Sequence, residues 1–150
     1  DKYDSSRKQP FIAYFDRLKN YLIGGELLFI FTGYSFSDQH INDLIFNCLR
    51  TNNRLYVIVL FFKDEEVESL YELSYSYLNL SVFGPTKAII NGQLGEWEFN
   101  KDDLKHGESS DSFWDESAKR LLLGDFKKLV DFLISSSGKK DTIEVIANGK

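Results

Sequence analysis

The sequence contains no methionine, one cysteine and two histidines among its 150 residues. One thiol cannot form an internal disulfide, and so few soft ligands make a four-ligand structural zinc site hard to build. The lone Cys48 lies on the apolar stripe of a predicted helix, which indicates a core position. This cysteine usage predicts a reducing, cytoplasmic setting without zinc. Because no methionine stands even at position 1, we expect the chain to belong to a longer polypeptide.

Long apolar runs and an excess of positive charge are also missing. No run of about 18 apolar residues exists, so we predict no membrane span, and no signal peptide is visible. The net charge of -5 and the pI of about 5.1 argue against broad electrostatic binding of nucleic acid. With 43% apolar residues, residues 1–150 predict one globular domain with a real core.

Two unbroken apolar runs dominate what is present. Residues 27–32 and 55–62 resemble strands that are buried on both faces, and residues 38–51 between them carry a helical apolar stripe. Strand, helix and strand in this order predict parallel pairing through a right-handed crossover. The predicted fold class is therefore α/β, a Rossmann-like parallel sheet with flanking helices.

The remaining segments extend this pattern. The asparagine-glycine pair at 91–92, between two apolar runs, predicts a β-hairpin inserted after the third strand, which caps the sheet edge or reaches a partner. The other predicted elements are a loop at 1–9, a helix at 10–22, a helix at 64–75, a strand at 79–83, the hairpin at 87–99, a surface loop at 100–111, a helix at 113–135 with a bend at 124–125, and a short strand or frayed tail at 139–150.

The turn between the first strand and its helix carries the chemistry. Gly33 has no side chain, so a ligand can approach its backbone, and Ser35 offers a small hydroxyl. The N-terminus of the following helix supplies unpaired N–H groups and partial positive charge, which suits a nucleotide phosphate or ribose. Asp38 either caps this helix or accepts hydrogen bonds from ribose hydroxyls. A purely structural turn at Gly33, and exposed helix positions for His40 and Asn42, remain alternatives.

The motif GYSFSDQHIN, between the strands LLFIF and LYVIVL, resembles the sirtuin-like NAD-binding domain. It is most similar to the branch found in bacterial anti-phage defence proteins. The matching positions are Gly33, Tyr34, Ser35, Phe36, Asp38, His40, Ile41 and Asn42. In sirtuins the turn reads Gly-Thr-Ser and its glycine and serine bind NAD, so the resemblance implies this role for Gly33 and Ser35. Tyr34 replaces the threonine.

A second match lies near the end of the chain. Leu123-Gly124-Asp125-Phe126, opening an amphipathic helix, resembles the last Gly-Asp turn of sirtuins, which lies beside the adenine. The family's asparagine after the second strand is missing, and no residue is assigned to its role, although Asp64 could serve there. The resemblance therefore implies the following cofactor-binding residues: Gly33, Ser35, Phe36, Asp38, His40, Asn42, Gly124 and Asp125.

The family's catalytic groups are not recognisable in this sequence. They comprise a Gly-Ala-Gly turn, an asparagine and aspartate at the nicotinamide ribose, and a catalytic histidine. The resemblance thus implies the C-terminal part of a larger domain, without catalytic residues of its own. No cysteine precedes Thr32, where deacetylating sirtuins carry a zinc module, and this favours the zinc-free branch that cleaves NAD.

The leading hypothesis is therefore an NAD hydrolase, with NAD as its substrate, that depletes NAD during phage attack. We expect it to form a homo-oligomer or to bind a partner defence protein. The main alternative is a non-catalytic nucleotide-sensing or oligomerisation module. A third reading is a structural interaction domain in which the hairpin and the last helix carry the contacts.

Overall fold

The computed structural model describes residues 2–100, 102, 104 and 109–137, with side chains from residue 13 onward. The elements are α1 (Lys2–Ile23), β1 (Leu27–Thr32), α2 (Gln39–Thr51), β2 (Leu55–Leu60), α3 (Asp64–Ser74), β3 (Leu80–Phe83), β4 (Lys87–Ile90), β5 (Gln93–Glu96), β6 (Trp114–Asp115), β7 (Arg120–Leu121) and α4 (Phe126–Ser136). The predicted tail strand at 139–150 lies outside the described residues.

Five strands form one sheet in the order β1-β2-β3-β4-β5. β1 pairs with β2, and β2 with β3, in parallel, while β4 and β5 continue the sheet antiparallel. The predicted α/β fold is confirmed, and so is the hairpin. Asn91 and Gly92 turn it with positive φ angles of 52° and 73°, as a tight two-residue hairpin turn requires. The hairpin caps the edge of the sheet next to β3.

The core lies on one face of the sheet. Val57 and Val59 of β2 stand opposite Leu80 and Val82 of β3, so all four point the same way. The apolar stripes of the first three helices cover them, through Leu22 of α1, through Ile45, Cys48 and Leu49 of α2, and through Val67 and Leu70 of α3. Cys48 is 2% exposed, which confirms its predicted core position, and this burial raises the pKa of its thiol.

The opposite face is open over β1 and the start of β2. Leu28, Ile30 and Tyr56 point there, and 57%, 38% and 37% of their respective surfaces are exposed. The prediction of burial on both faces is therefore wrong for β1 and for the start of β2, whereas Leu60 at the end of β2 is 4% exposed. The reason is that α1, α2 and α3 all pack on the other face, and that no described strand pairs with the outer edge of β1.

The segment before α4 differs from the prediction. Instead of one helix over 113–135, β6 and β7 form a small antiparallel ladder, and the helix begins only at Phe126. The Asp115 carboxylate accepts hydrogen bonds from the backbone N–H of Ser117 and Ala118, and Lys119 takes a φ of 52°. A short polar side chain that binds its own backbone in this way turns the chain back and ends any helix.

The first helix also differs from its prediction. α1 begins at Lys2, so the expected loop is helical from residue 2 onward. Residues 2–9 contain no glycine and several good helix formers, so the helix extends to the N-terminal side of Pro10. Pro10 therefore lies inside the helix, which costs one backbone hydrogen bond. Among the described residues, none of the helices has both the length and the apolar character that crossing a bilayer requires.

Candidate functional site

The first turn of the site follows β1 at the carboxyl end of the parallel strands, where α/β folds place their ligands. Gly33 has a φ of 69° and open space around its missing side chain. Ser35 is exposed, and its hydroxyl lies 3.0 Å from that of Ser37. The backbone of Gly33 and the hydroxyl of Ser35 are thus accessible, as the sequence predicted for a ligand-binding turn.

A buried asparagine holds this turn in shape. Asn42 is 5% exposed, and its side-chain amide donates to the carbonyl oxygen of Phe36 at 2.7 Å. Its carbonyl oxygen accepts from the Tyr34 hydroxyl at 2.8 Å. Burial raises the pKa of the Tyr34 hydroxyl, and the neighbouring Asp38 carboxylate raises it further, so the phenol remains a neutral donor. These bonds stabilise Phe36 at its positive φ of 55°.

Asp38 is the N-cap of α2. Its carboxylate accepts from the backbone N–H of His40 at 2.9 Å and of Ile41 at 3.2 Å. The expectation that the helix N-terminus offers unpaired N–H groups is therefore wrong for these two amides. The negative charge of Asp38 also offsets the partial positive charge of the helix end. A neutral ribose or base suits this end of the site better than a phosphate group does.

The second turn reaches the same edge of the sheet through backbone anchors. The N–H of Leu121 donates to the carbonyl of Pro85 at 2.7 Å, and that of Leu122 donates to Phe113 at 2.8 Å. Gly124 then packs against the end of β2. A Cβ at Gly124 would overlap the carbonyl oxygen of Phe61 and lie 3.1 Å from the Cα of Phe62. Only glycine permits this close approach.

Asp125 is an N-cap residue, as Asp38 is. Its carboxylate caps α4 by accepting from the backbone N–H of Lys127 at 2.8 Å and of Lys128 at 3.1 Å. Each turn thus combines a glycine that exposes or packs backbone with an aspartate that caps the next helix. The two turns have similar local chemistry although they are far apart in the sequence.

Two hollows lie where the turns meet. The smaller, about 130 Å³, is lined by Gly33, Tyr34, Ser35, Leu60, Phe61, Phe62, Glu66 and Gly124. The larger, about 220 Å³, is lined by Phe61, Phe62, Pro85, Arg120, Leu121, Leu122, Gly124, Asp125 and Lys128. Phe61, Phe62 and Gly124 belong to both hollows, so the two lie side by side along the end of β2. The fold therefore brings the two sequence motifs into one site.

Not every candidate residue lies in these hollows. Phe36 belongs to an aromatic cluster with Phe31, Tyr34 and Phe61, and His40 is exposed on the first turn of α2. Asp64 is engaged elsewhere: its carboxylate accepts from the hydroxyl of Thr86 at 2.8 Å and from two backbone N–H groups. It therefore holds the turn between β3 and β4.

Sequence reasoning missed two residues. Tyr34 positions the first turn through its hydroxyl, and Phe62 lines both hollows. The sequence pair Phe61-Phe62 could have indicated the role of Phe62. Consecutive residues of an extended segment point to opposite sides, so one ring of such a pair is buried and the other is exposed.

The cap assignment leads to a direct prediction. We expect Asp38→Ala to lower the free energy of unfolding by about 1 kcal/mol, because α2 loses the acceptor for two amides. Asp38→Asn keeps a side-chain oxygen and should retain most of that stability. Asp43→Ala, at an exposed position on the same helix, serves as the control. Urea unfolding that finds Asp38→Ala as stable as Asp38→Asn would contradict the cap.

Parallel strands, a glycine turn and a hollow at the carboxyl ends define a Rossmann-like α/β domain, the class in which nucleotide sites are common. The family model described as SIR2-like domain matches residues 1–79 of the 150, a stretch that includes the first turn. The chain therefore belongs to the SIR2-like domain family, whose members use NAD. No curated protein sequence matches it.

Proposed function

We propose that this chain forms the adenosine side of the NAD site in a SIR2-like NAD hydrolase. The observation that carries the proposal is the meeting of Gly33 and Gly124 in one hollow at the carboxyl end of β2. Both glycines belong to motifs that resemble the family's NAD-binding turns. The two motifs are far apart in the sequence and come together only in the folded chain. This convergence is what a shared ligand requires.

The cofactor-binding residues act in two ways in this proposal. Gly33, Ser35, Gly124 and Asp125 contact the dinucleotide, since they lie at or beside the hollows. Phe36, Asp38, His40 and Asn42 keep the turn and the start of α2 in place, with Asn42 and Asp38 acting through their hydrogen bonds. In this arrangement the protein supplies orientation rather than chemistry.

The reaction that we propose is hydrolysis of NAD to nicotinamide and ADP-ribose. Water adds to the ribose carbon as the bond from that carbon to the nicotinamide nitrogen breaks, and a proton is released from the water. The ribose passes through an oxocarbenium-like state. The groups that stabilise this state belong, in our proposal, to a polypeptide segment other than the residues described above.

The open sheet face supports the idea that this chain is the C-terminal part of a larger domain. Sheets with parallel strands are normally covered on both faces, whereas Leu28, Ile30 and Tyr56 are left exposed here. We propose that the rest of the domain covers this face and pairs with the outer edge of β1. It would place the catalytic groups next to the hollows. Zinc has no part in this mechanism.

We further propose that the full-length protein acts in anti-phage defence by depleting NAD in the cytoplasm, as a homo-oligomer or with a partner defence protein. The resemblance of GYSFSDQHIN to that branch supports this role. Cellular NAD measured during phage infection tests it. NAD that falls with the wild-type protein, and falls more slowly with a Ser35→Ala variant, would support the proposal, and unchanged NAD in both would contradict it.

Ser35→Ala tests the site directly. We expect NAD turnover by the full-length protein to fall about 3- to 10-fold, because one hydrogen bond to the substrate is lost. The free energy of unfolding should stay within about 0.5 kcal/mol, since the side chain is exposed. Ser76→Ala, an exposed serine in the loop before β3, is the matched control.

The result also separates the two leading functions. Wild-type turnover in Ser35→Ala would count against this site. Tight NAD binding by the full-length protein without any nicotinamide release would instead favour the nucleotide-sensing module. Steady-state kinetics together with calorimetric binding distinguish these outcomes.

A further inference from the structure

The residue after Phe61 stands out among the residues that line the hollows. Phe61 is 4% exposed and contacts the ring of Phe36, whereas Phe62 is 64% exposed. The two follow β2 directly, and the packing of Gly124 against their backbone fixes their position. Phe62 thus presents a large apolar ring to solvent at a defined place.

That place is the boundary between the two hollows. Phe62 lines the hollow beside Gly33 and Ser35, and it also lines the hollow beside Gly124 and Lys128. Single exposed apolar side chains are common on protein surfaces and need no special account. An exposed aromatic ring shared by both halves of a nucleotide-type site is more specific, because aromatic rings are the usual stacking partners of bases.

Three charged side chains near this place are already engaged. Asp64 is bound to Thr86 and Lys87, and Asp125 is bound to the first amides of α4. Arg120 pairs with Asp115 at 3.6 Å. Glu66 and Lys128 line one hollow each, whereas Phe62 is the exposed side chain that lines both of them.

We propose that Phe62 is the stacking surface for the adenine base and thereby a specificity-determining residue of the site. The inference rests on the proposed function, since it requires an adenine dinucleotide in these hollows. A base has a π-face that an aliphatic side chain cannot match, so the ring favours ligands that carry a base over the same sugar phosphates without one. Each such stack contributes measurably when it is removed by alanine.

The experiment measures binding of ADP-ribose and of ribose 5-phosphate to the full-length protein by calorimetry. We expect Phe62→Ala to weaken ADP-ribose binding about 5- to 100-fold and to leave ribose 5-phosphate binding unchanged. Phe62→Tyr should restore binding to within about twofold, while Phe62→Leu, which is apolar but not aromatic, should remain impaired. The control is Tyr21→Ala, because Tyr21 is also a highly exposed aromatic residue but lies near the C-terminal end of α1 and does not line either hollow.

A spectroscopic readout separates stacking from a structural role. In Phe62→Trp, ADP-ribose should quench the new indole fluorescence, whereas ribose 5-phosphate should not. Equal ADP-ribose affinities for wild type and Phe62→Ala would overturn this inference while the proposed function stands. Absence of any ADP-ribose binding by the wild-type protein would instead overturn the proposed function and this inference with it. If Phe62→Ala changed only the association state, Phe62 would be a protein contact and the inference would fail.

Discussion

Gly124→Ala is expected to separate the two halves of the site. The added Cβ would overlap the carbonyl oxygen of Phe61 and lie 2.8 Å from its carbonyl carbon, and backbone cannot move aside as a flexible side chain can. Overpacking of this kind costs about 1–3 kcal/mol. We expect the free energy of unfolding to fall by about that amount and NAD binding to fall at least tenfold, because the second turn must move away from β2.

Gly95→Ala is the matched control for this prediction. Gly95 lies in the exposed strand β5, and a Cβ there would meet no atom within 4 Å. Its unfolding free energy should stay within about 0.5 kcal/mol of wild type. Urea unfolding and calorimetric NAD binding of both variants test the contrast. If Gly124→Ala matched Gly95→Ala in both measurements, the close approach of the second turn to β2 would be disproved.

Asn42→Ala is expected to have the second large effect. The substitution removes the donor to the Phe36 carbonyl and the shorter of the two bonds of the Tyr34 hydroxyl, whose bond to the Asp38 carbonyl at 3.2 Å remains. Leaving the partly buried Phe36 carbonyl without its donor costs about 1–3 kcal/mol. The first turn should also lose its shape, since Phe36 holds an unfavourable positive φ, so NAD binding should weaken together with stability.

Asn47→Ala provides the comparison for Asn42→Ala. Asn47 is exposed on the same helix, and its side chain only accepts from Arg50. Both substitutions gain the same helix propensity, so the difference between them isolates the buried bonds. We expect a gap of about 1 kcal/mol or more in the unfolding free energy. A gap below about 0.5 kcal/mol would show that these bonds do not stabilise the turn.

These predictions reflect how the site is built. The first turn is stabilised by a residue close to it in the sequence, because Asn42 donates to the carbonyl of Phe36, six residues earlier. The second turn is stabilised by more distant residues. Backbone hydrogen bonds to Pro85 and Phe113 fix the segment before it, and Gly124 packs against Phe61. Substitutions in the first turn should therefore affect α2 and the turn together. Substitutions in the second should affect chiefly the distance between the turns.

The sequence alone determined the features that depend on neighbouring residues. The strand at 27–32, the turn at Gly33 and a polar cap at Ser37 or Asp38 follow from strand, turn and cap preferences that act within a few residues, and the structure selects Asp38 as the cap. The same holds for the hairpin at Asn91-Gly92, because two positive φ angles are a local demand of that turn.

Only the tertiary structure decided which faces of the sheet are covered and which turns meet. An apolar run indicates burial but not how many helices pack on each side, so the open face at Leu28 and Tyr56 was not predictable. The replacement of a helix by β6 and β7 depends on the bonds of Asp115 together with distant anchors such as Pro85. The approach of Gly124 to Phe61 depends on contacts between segments far apart in the chain, and periodicity carries no information about such contacts.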